Sequence, residues 1–155
     1  MHVEDLHYTT LGEEAETINM NRKPLILYAD DNAGLVAGWK ALLEAKGYEV
    51  LTANDGTEAV GAFTSNPVDL ALLDYHMPHM NGDVAAAEMK TRKADVPVAL
   101  MSADHLPVLA NLKAVDAFVC KSEAIPKVLD IVDELLSRRV LFQPLEGWEA
   151  GHQAA

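Results

Sequence analysis

Five short apolar runs alternate with segments of helical spacing in the middle of the chain, and most of the runs end in a polar residue. A run of this length without polar alternation is typical of a strand that is buried on both faces. The five predicted strands lie at residues 25–29, 48–53, 68–73, 98–101 and 117–120. Strands that alternate with helices predict a parallel sheet covered on both faces, which is a single doubly wound α/β domain.

Helices are predicted between the strands from apolar positions that lie three and four residues apart. Asn32 is expected to cap the first helix and Gly47 to end it, and Ser122 is expected to cap the last helix. Val84 is expected to pack inward from the third helix. The chain between the fourth and fifth strands has room only for a shortened fourth helix, and Pro107 restricts where it begins. The second, third and fourth predicted helices lie at residues 57–65, 83–93 and 108–113.

The regular pattern covers residues 24–139, which we predict to be one domain. Residues 1–23 are polar and acidic and are expected to form an extension outside the fold. Residues 140–155 have no regular period and are expected to form a tail. Nothing after Arg139 is long enough for a DNA-binding or catalytic output domain, so the sequence predicts a stand-alone domain.

Composition and charge exclude several classes of protein. The 155 residues include 24 acidic and 12 basic side chains, a net charge of minus 12. This charge disfavours a nucleic-acid surface, because phosphate contacts need clustered Lys and Arg, and it favours proteins or cations as partners. The single cysteine, Cys120, excludes an internal disulfide and fits a reducing compartment. No apolar run reaches membrane-spanning length and residues 1–5 lack the order of a secretory signal, so we expect a cytoplasmic protein without a membrane segment.

Polar side chains stand where the predicted strands end. Asp30 and Asp31 follow the first strand, Asp74 the third, Ser102 the fourth and Lys121 the fifth. The carboxyl ends of parallel strands meet at one edge of a sheet, and open α/β sheets bind their ligands there. With a strand order of 2-1-3-4-5, the strands that carry these residues are consecutive, so the five side chains are expected to converge.

Three carboxylates at one edge point to a metal ion, since like charges this close raise pKa values or need a cation, and their oxygens suit Mg²⁺ or Mn²⁺. A divalent cation beside a lysine and a hydroxyl is what phosphoryl transfer needs. Our central hypothesis is that Asp74 accepts a phosphoryl group. Asp30 and Asp31 would hold the metal, with Asp31 as a direct ligand, while Lys121 and Ser102 would contact the phosphoryl oxygens. Taken singly, these residues also fit turn acids, a strand-end hydroxyl and a surface lysine.

Over about residues 24–138 the sequence resembles the response-regulator receiver domain of two-component signalling. The matching segments are Asp30-Asp31, Asp74-Tyr75-His76-Met77-Pro78-His79-Met80-Asn81-Gly82, Ser102-Ala103 and Phe118-Val119-Cys120-Lys121. The resemblance implies a flavodoxin-like fold, Mg²⁺ binding, and a phosphoryl group that is taken from a histidine kinase or phosphotransfer protein and later hydrolysed from Asp74. It also implies that His76 lends its backbone carbonyl to the metal.

By the same resemblance, Ser102 and Phe118 match the two switch positions of the family. Contact with the phosphoryl group would draw Ser102 inward and let the Phe118 ring turn in behind it, although a plain core role for Phe118 stays open. His76 and Asp104 match two positions that tune the lifetime of the phosphate. The sequence departs from the family at Ser122, where proline is usual, and in its short interval between the fourth and fifth strands, so the loop there and the output surface are expected to differ.

Two other functions remain open beside a signalling switch. A hydrolase similar to haloacid dehalogenase phosphatases would need a second acid two residues after the nucleophile, where this chain has His76. A degenerate receiver that acts as a scaffold or dimerisation module is disfavoured by the intact Asp74 and Lys121, but the shortened fourth helix keeps it open. We expect a switch that is not an enzyme beyond its own phosphorylation and dephosphorylation, with an unidentified downstream protein as partner, and a homodimer stays open.

Overall fold

The computed structural model describes residues 22–103 and 112–142, which contain five strands. The strands are β1 Leu25–Ala29, β2 Glu49–Ala53, β3 Leu70–Asp74, β4 Val98–Ser102 and β5 Ala117–Cys120. They form one parallel sheet in the order β2-β1-β3-β4-β5. This confirms the predicted doubly wound, flavodoxin-like arrangement, in which the strand order reverses between β1 and β3.

Four α-helices of the described chain cover the two faces of the sheet. They are α1 Ala33–Ala45, α2 Gly56–Ser65, α3 Gly82–Arg92 and α4 Ile125–Phe142. A 3-10 helix at Leu112–Ala114 precedes β5, whereas most of the short helix predicted at 108–113 lies outside the described residues. Within the described ranges, no helix combines the length and the apolar character needed to cross a bilayer.

Two buried apolar clusters fill the space between the sheet and its helices. The first lies beneath α2 and α3 and includes Phe63 and Met89. The second lies beneath α1 and α4 and includes Val132. Because successive strand side chains point to opposite faces, Leu27 belongs to the first cluster and its neighbour Tyr28 to the second. Burial on both faces explains why the central strands read as continuous apolar runs.

The first two helices begin at side chains that bind their free N–H groups. Asn32 caps α1 as predicted, with Oδ1 accepting from the Leu35 N–H at 3.1 Å. Gly47 follows α1 with a φ of 97°, the left-handed conformation expected where glycine ends a helix. Asp55 caps α2 by accepting from the Glu58 N–H at 2.7 Å.

Two local predictions are wrong. Ser122 does not cap the last helix, because α4 begins only at Ile125, and the Ser122 hydroxyl instead lies 3.0 Å from the Cys120 sulfur. Val84 does not pack inward from α3, since 42% of it is exposed while its neighbour Ala85 is fully buried. Ser122 is followed by a turn rather than by the first turn of the helix, and the rotation of α3 buries Ala85 instead of Val84.

Ion pairs around Asp69 hold the amino-terminal edge of the sheet. The Asp69 carboxylate is buried and accepts from the Leu25 N–H at 2.7 Å. It also pairs with Arg22 at 3.0 Å and with Arg139 of α4, and Arg139 reaches Asp95 at 3.5 Å. One acid before β3 thus connects the start of β1 and the last helix to the sheet.

Candidate functional site

The carboxyl edge of the sheet brings together side chains from four neighbouring strands. Strands β3 and β4 end at Asp74 and Ser102 themselves, and Asp30 and Lys121 directly follow β1 and β5. The Lys121 N–H donates to the Ser102 carbonyl at 2.8 Å, so the pairing of β4 with β5 continues to the lysine. The structure therefore places these predicted residues at one edge, around the point where the strand order reverses.

Three carboxylates face one another at this edge. Asp30, Asp31 and Asp74 each offer one oxygen, and these oxygens lie within 4.8 Å of one another. Asp30 and Asp74 are only 1% and 6% exposed, whereas Asp31 is exposed. Hard oxygen donors in this number suit a divalent cation such as Mg²⁺ or Mn²⁺, and Asp31 leaves the cluster open to solvent. The donor set fits the metal that the sequence suggested.

The ammonium of Lys121 lies between two of these acids. Its Nζ is 3.0 Å from Asp30 Oδ2 and 3.0 Å from Asp74 Oδ1. Burial by itself lowers the pKa of Lys121, but its hydrogen bonds with Asp30 and Asp74 outweigh burial and raise the pKa above the ordinary value. The lysine is therefore charged at neutral pH and offsets part of the repulsion between the two buried carboxylates.

The environment of Asp74 works against its ionised form. Burial raises the pKa of the Asp74 carboxyl, and the charges of Asp30 and Asp31 raise it further. The hydrogen bond and charge of Lys121 lower the pKa, yet the net direction is upward. A single ammonium does not balance three acids, so a bound cation would stabilise the ionised cluster.

The buried acid Asp30 is held in place by several donors. Its Oδ1 accepts from the Asn32 N–H at 2.9 Å, and its Oδ2 accepts from the Tyr28 hydroxyl at 3.3 Å as well as from Lys121. Burial, together with the nearby Asp30, raises the pKa of Tyr28, so this phenol is a donor. Sequence reasoning placed Tyr28 only in an apolar run. The two-residue period of a strand, which puts Tyr28 on the same side as Asp30, is the signal that would have identified it.

A tight loop carries the chain from Asp74 to α3. The Gly82 N–H donates to the Tyr75 carbonyl at 2.8 Å, which folds the loop back onto the end of β3. A Cβ on Gly82 would overlap the Asp74 carbonyl oxygen and press on the Leu100 side chain. Only glycine fits this approach. His79 adopts a φ of 67° within the same loop.

The remaining predicted residues differ in their surroundings. Ser102 is buried with 1% exposed, whereas Phe118 on β5 is 41% exposed, so the interpretation of Phe118 as a plain core residue is wrong. The His76 side chain is exposed beside the loop. Asp104 lies outside the described residues. The peptide bond before Ser122 is trans, like every other bond in the described ranges.

A doubly wound sheet in this strand order, which here carries an acid cluster and a lysine at its switch point, has the CheY-like, flavodoxin-type fold. The family sequence model of the response regulator receiver domain matches residues 26–133, and the chain belongs to this family. Receiver domains bind Mg²⁺ at an acidic site and are phosphorylated by histidine kinases.

Two curated relatives place the similarity within larger proteins. The transcriptional regulatory protein PrrA of Mycobacterium tuberculosis is 33% identical over 119 residues, which cover 75% of this chain and 51% of PrrA. The response regulator SaeR of Staphylococcus aureus is 31% identical over 126 residues, which cover 78% of this chain and 55% of SaeR. The chain thus spans about half the length of the curated relatives it matches.

Solved structures agree with the fold. The response regulator TrrA from Thermotoga maritima, in complex with Mg²⁺-BeF, is 33% identical with a TM-score of 0.68, over 72% of this chain and 98% of TrrA. A CheY-like receiver domain from Methanospirillum hungatei has a TM-score of 0.71 over 76% of this chain and 97% of its own, and at 24% identity it supports the fold alone.

Proposed function

We propose that this chain is a phosphorylation-controlled switch in a two-component phosphorelay, in which Asp74 accepts a phosphoryl group. The observation that carries the proposal is the Lys121 ammonium, which lies 3.0 Å from both Asp30 and Asp74 inside a cluster of three acids. An ammonium in this place can turn to phosphoryl oxygens without leaving the site. A purely structural ion pair needs neither the third acid nor a lysine that is shared.

The donor in this proposal is the phosphohistidine of a histidine kinase or phosphotransfer protein. An oxygen of the Asp74 carboxylate attacks phosphorus in line, and the new O–P bond forms as the P–N bond breaks. The imidazole leaves with the electron pair of that bond. Lys121 balances the charge of the phosphoryl oxygens, and the Ser102 hydroxyl donates to one of them. Hydrolysis later restores the carboxylate and releases inorganic phosphate.

The acid cluster would hold a Mg²⁺ ion. Asp31 and Asp74 would be direct ligands, Asp30 would complete the negative charge of the site, and the backbone carbonyl of His76 would add a further oxygen. When bound, the cation neutralises charge on the acids and on the phosphoryl oxygens. In this proposal, His76 and Asp104 set the lifetime of the phosphate through access of water to it.

The output is proposed to be a contact with another protein. Ser102 on β4 and Phe118 on the neighbouring edge strand β5 would respond together, since contact with the phosphoryl group draws Ser102 inward and the Phe118 ring follows. The 41% exposure of Phe118 supports this part of the proposal, because an exposed ring has room to change its position. The net charge of minus 12 favours a protein partner over nucleic acid.

Intact mass after incubation with acetyl phosphate tests the phosphoryl acceptor. We expect wild type to gain one phosphoryl group only when Mg²⁺ is present, and Asp74→Asn to gain none. Asp130→Asn, which removes an exposed acid from α4, is the matched control and should be labelled like wild type. Equal labelling of Asp74→Asn would show that another residue reacts. If wild type is labelled neither by acetyl phosphate nor by a cognate kinase and binds no Mg²⁺, the switch is refuted in favour of a scaffold.

A further inference from the structure

Tyr28 is a buried polar side chain at the site to which the proposed transfer assigns no role. It is 1% exposed, and its ring stacks on Trp39 of α1 with centroids 6.3 Å apart and planes at 26°. Its hydroxyl donates to Asp30 Oδ2 at 3.3 Å. Packing on the ring therefore holds the hydroxyl against one particular oxygen of the acid cluster.

The other hydrogen bonds of Asp30 show why this contact matters. Oδ1 is occupied by the Asn32 N–H at 2.9 Å, whereas Oδ2 is shared by Tyr28 and the Lys121 ammonium, the latter at 3.0 Å. Of these three donors, Lys121 alone also contacts Asp74, again at 3.0 Å. When Lys121 turns toward a phosphoryl group on Asp74, Asp30 Oδ2 loses its charged donor.

We propose that Tyr28 is a positioning residue that keeps the Asp30 carboxylate oriented and hydrogen-bonded while Lys121 moves from Asp30 to the phosphoryl group. The inference rests on the proposed function. A carboxylate that is 1% exposed is costly to leave without a donor, and the Tyr28 hydroxyl is already aimed at the oxygen that Lys121 vacates. The hydrogen bond from Tyr28 to Asp30 is 3.3 Å long, which is long for an O–H···O bond and is expected while two donors share the acceptor.

The same geometry gives the direction of the effect. Without the hydroxyl, Lys121 is the remaining described donor to Asp30 Oδ2 and binds it more firmly. A cation competes with that ammonium for the acid cluster, and the orientation of the carboxylate also supports metal affinity. Tyr28→Phe should therefore weaken Mg²⁺ binding by about 3- to 10-fold, the range of one net hydrogen bond. Labelling by acetyl phosphate at saturating Mg²⁺ should also slow, because Lys121 leaves Asp30 less readily.

The test is a calorimetric Mg²⁺ titration and a labelling time course on the full chain, for wild type, Tyr28→Phe and Tyr48→Phe. The first variant keeps the ring on Trp39 and removes only the hydroxyl. Tyr48→Phe removes the same atom from a second tyrosine–aspartate pair, in which the Tyr48 hydroxyl donates to Asp133 of α4. Tyr48 directly precedes β2, so this pair lies at the sheet edge opposite the acid cluster. Unfolding temperatures without Mg²⁺ are measured in parallel.

The proposal requires a raised Kd for Mg²⁺ and a slower labelling rate in Tyr28→Phe, with Tyr48→Phe equal to wild type in both. If either effect is missing, the positioning role is wrong, even where the unfolding temperature falls, because a merely structural hydroxyl changes stability alone. Equal losses in the two variants overturn it as well. Failure of the proposed function is recognised separately, because wild type itself would then bind no Mg²⁺, and the positioning role would be lost with it.

Discussion

Replacement of Asp31 by Asn should make the metal-free protein more stable and should remove its stabilisation by Mg²⁺. Asp31 is the exposed member of a cluster whose oxygens lie within 4.8 Å of one another, and its charge contributes to the raised pKa of Asp74. Asn keeps the shape of the side chain and removes the charge. Two effects of opposite sign distinguish a metal ligand from an ordinary surface acid, which would show neither.

Charge repulsion sets the size of the first effect. Two unit charges 4.8 Å apart repel by about 0.9 kcal/mol in water and by about 3.5 kcal/mol at an effective dielectric constant of about 20. Because Asp31 is exposed, the lower value applies to its pairs with Asp30 and Asp74, and Lys121 offsets part of their sum. We expect the free energy of unfolding to rise by about 1 kcal/mol, which raises the Tm by about 3–5 °C in a domain of this size.

Mg²⁺ binding sets the size of the second effect. A ligand that binds only the folded chain stabilises it by about 1.4 kcal/mol at ten times its Kd and by about 2.7 kcal/mol at a hundred times. The wild-type Tm should therefore rise by about 5 °C for each tenfold increase in Mg²⁺ above the Kd. Asp31→Asn would lack the proposed direct ligand and should show no rise over the same concentrations, so wild type should become the more stable protein.

Thermal unfolding followed by circular dichroism, first in EDTA and then with stepwise Mg²⁺, measures both effects. Asp130→Asn is the control for net charge, because it removes an exposed acid from α4 and should respond to Mg²⁺ as wild type does. The reasoning is refuted if Asp31→Asn is less stable than wild type in EDTA. It is also refuted if the variant gains as much stability from Mg²⁺ as wild type gains.

Two further predictions concern the same edge. Asp74→Asn should be more stable than wild type at neutral pH in EDTA, because burial raises the pKa of Asp74. A carboxyl whose pKa is raised in the folded state stabilises the fold below its ordinary pKa of 3.8, and this stability is lost as pH rises through the pKa of the folded state. The free energies of unfolding of wild type and Asp74→Asn, measured in urea, should therefore converge in acid and separate over that pH window. Gly82→Ala should lower the free energy of unfolding by about 1–3 kcal/mol, because its Cβ would overlap the Asp74 carbonyl. The control is Gly38→Ala in α1, where a Cβ meets open space and should raise the free energy of unfolding by about 0.5–1 kcal/mol. If urea unfolding gave equal changes in this free energy for the two variants, the close packing at Gly82 would be contradicted.

Sheet topology and the placement of the acids could be predicted because they depend on features that are local in sequence. Each central strand is a continuous apolar run, and a polar residue marks its carboxyl end, as at Asp74 and Ser102. Parallel strands joined by helices have few topologies available, so the placement of the strand ends follows from the pattern. Residues that lie far apart along the chain, such as Asp30 and Lys121, could thus be assigned to one edge.

Features that depend on side-chain geometry could not be predicted in the same way. Ser122 is a residue type that often caps helices, but it lies in a turn in which the Glu123 N–H donates to the Cys120 carbonyl at 2.9 Å, and α4 begins only after this turn. The alanine-rich α3 has a weak apolar stripe, so periodicity did not separate the exposed Val84 from the buried Ala85. The 41% exposure of Phe118 likewise depends on the position of β5 at the edge of the sheet.

The two edges of the sheet treat their acids in opposite ways, and the contrast explains how the cluster can exist in a stable fold. Asp69, before β3, is matched by two arginines and the Leu25 N–H, whereas Asp74, at the end of the same strand, faces two further acids and one lysine. Ion pairs at one edge and apolar clusters on both faces hold β1 and β3 together, so repulsion at the other edge cannot separate the strands. A cluster whose charges were already balanced would gain little from a cation. The excess of negative charge around Asp74 is therefore the property that favours Mg²⁺, and the compensated edge around Asp69 is what allows the fold to tolerate it.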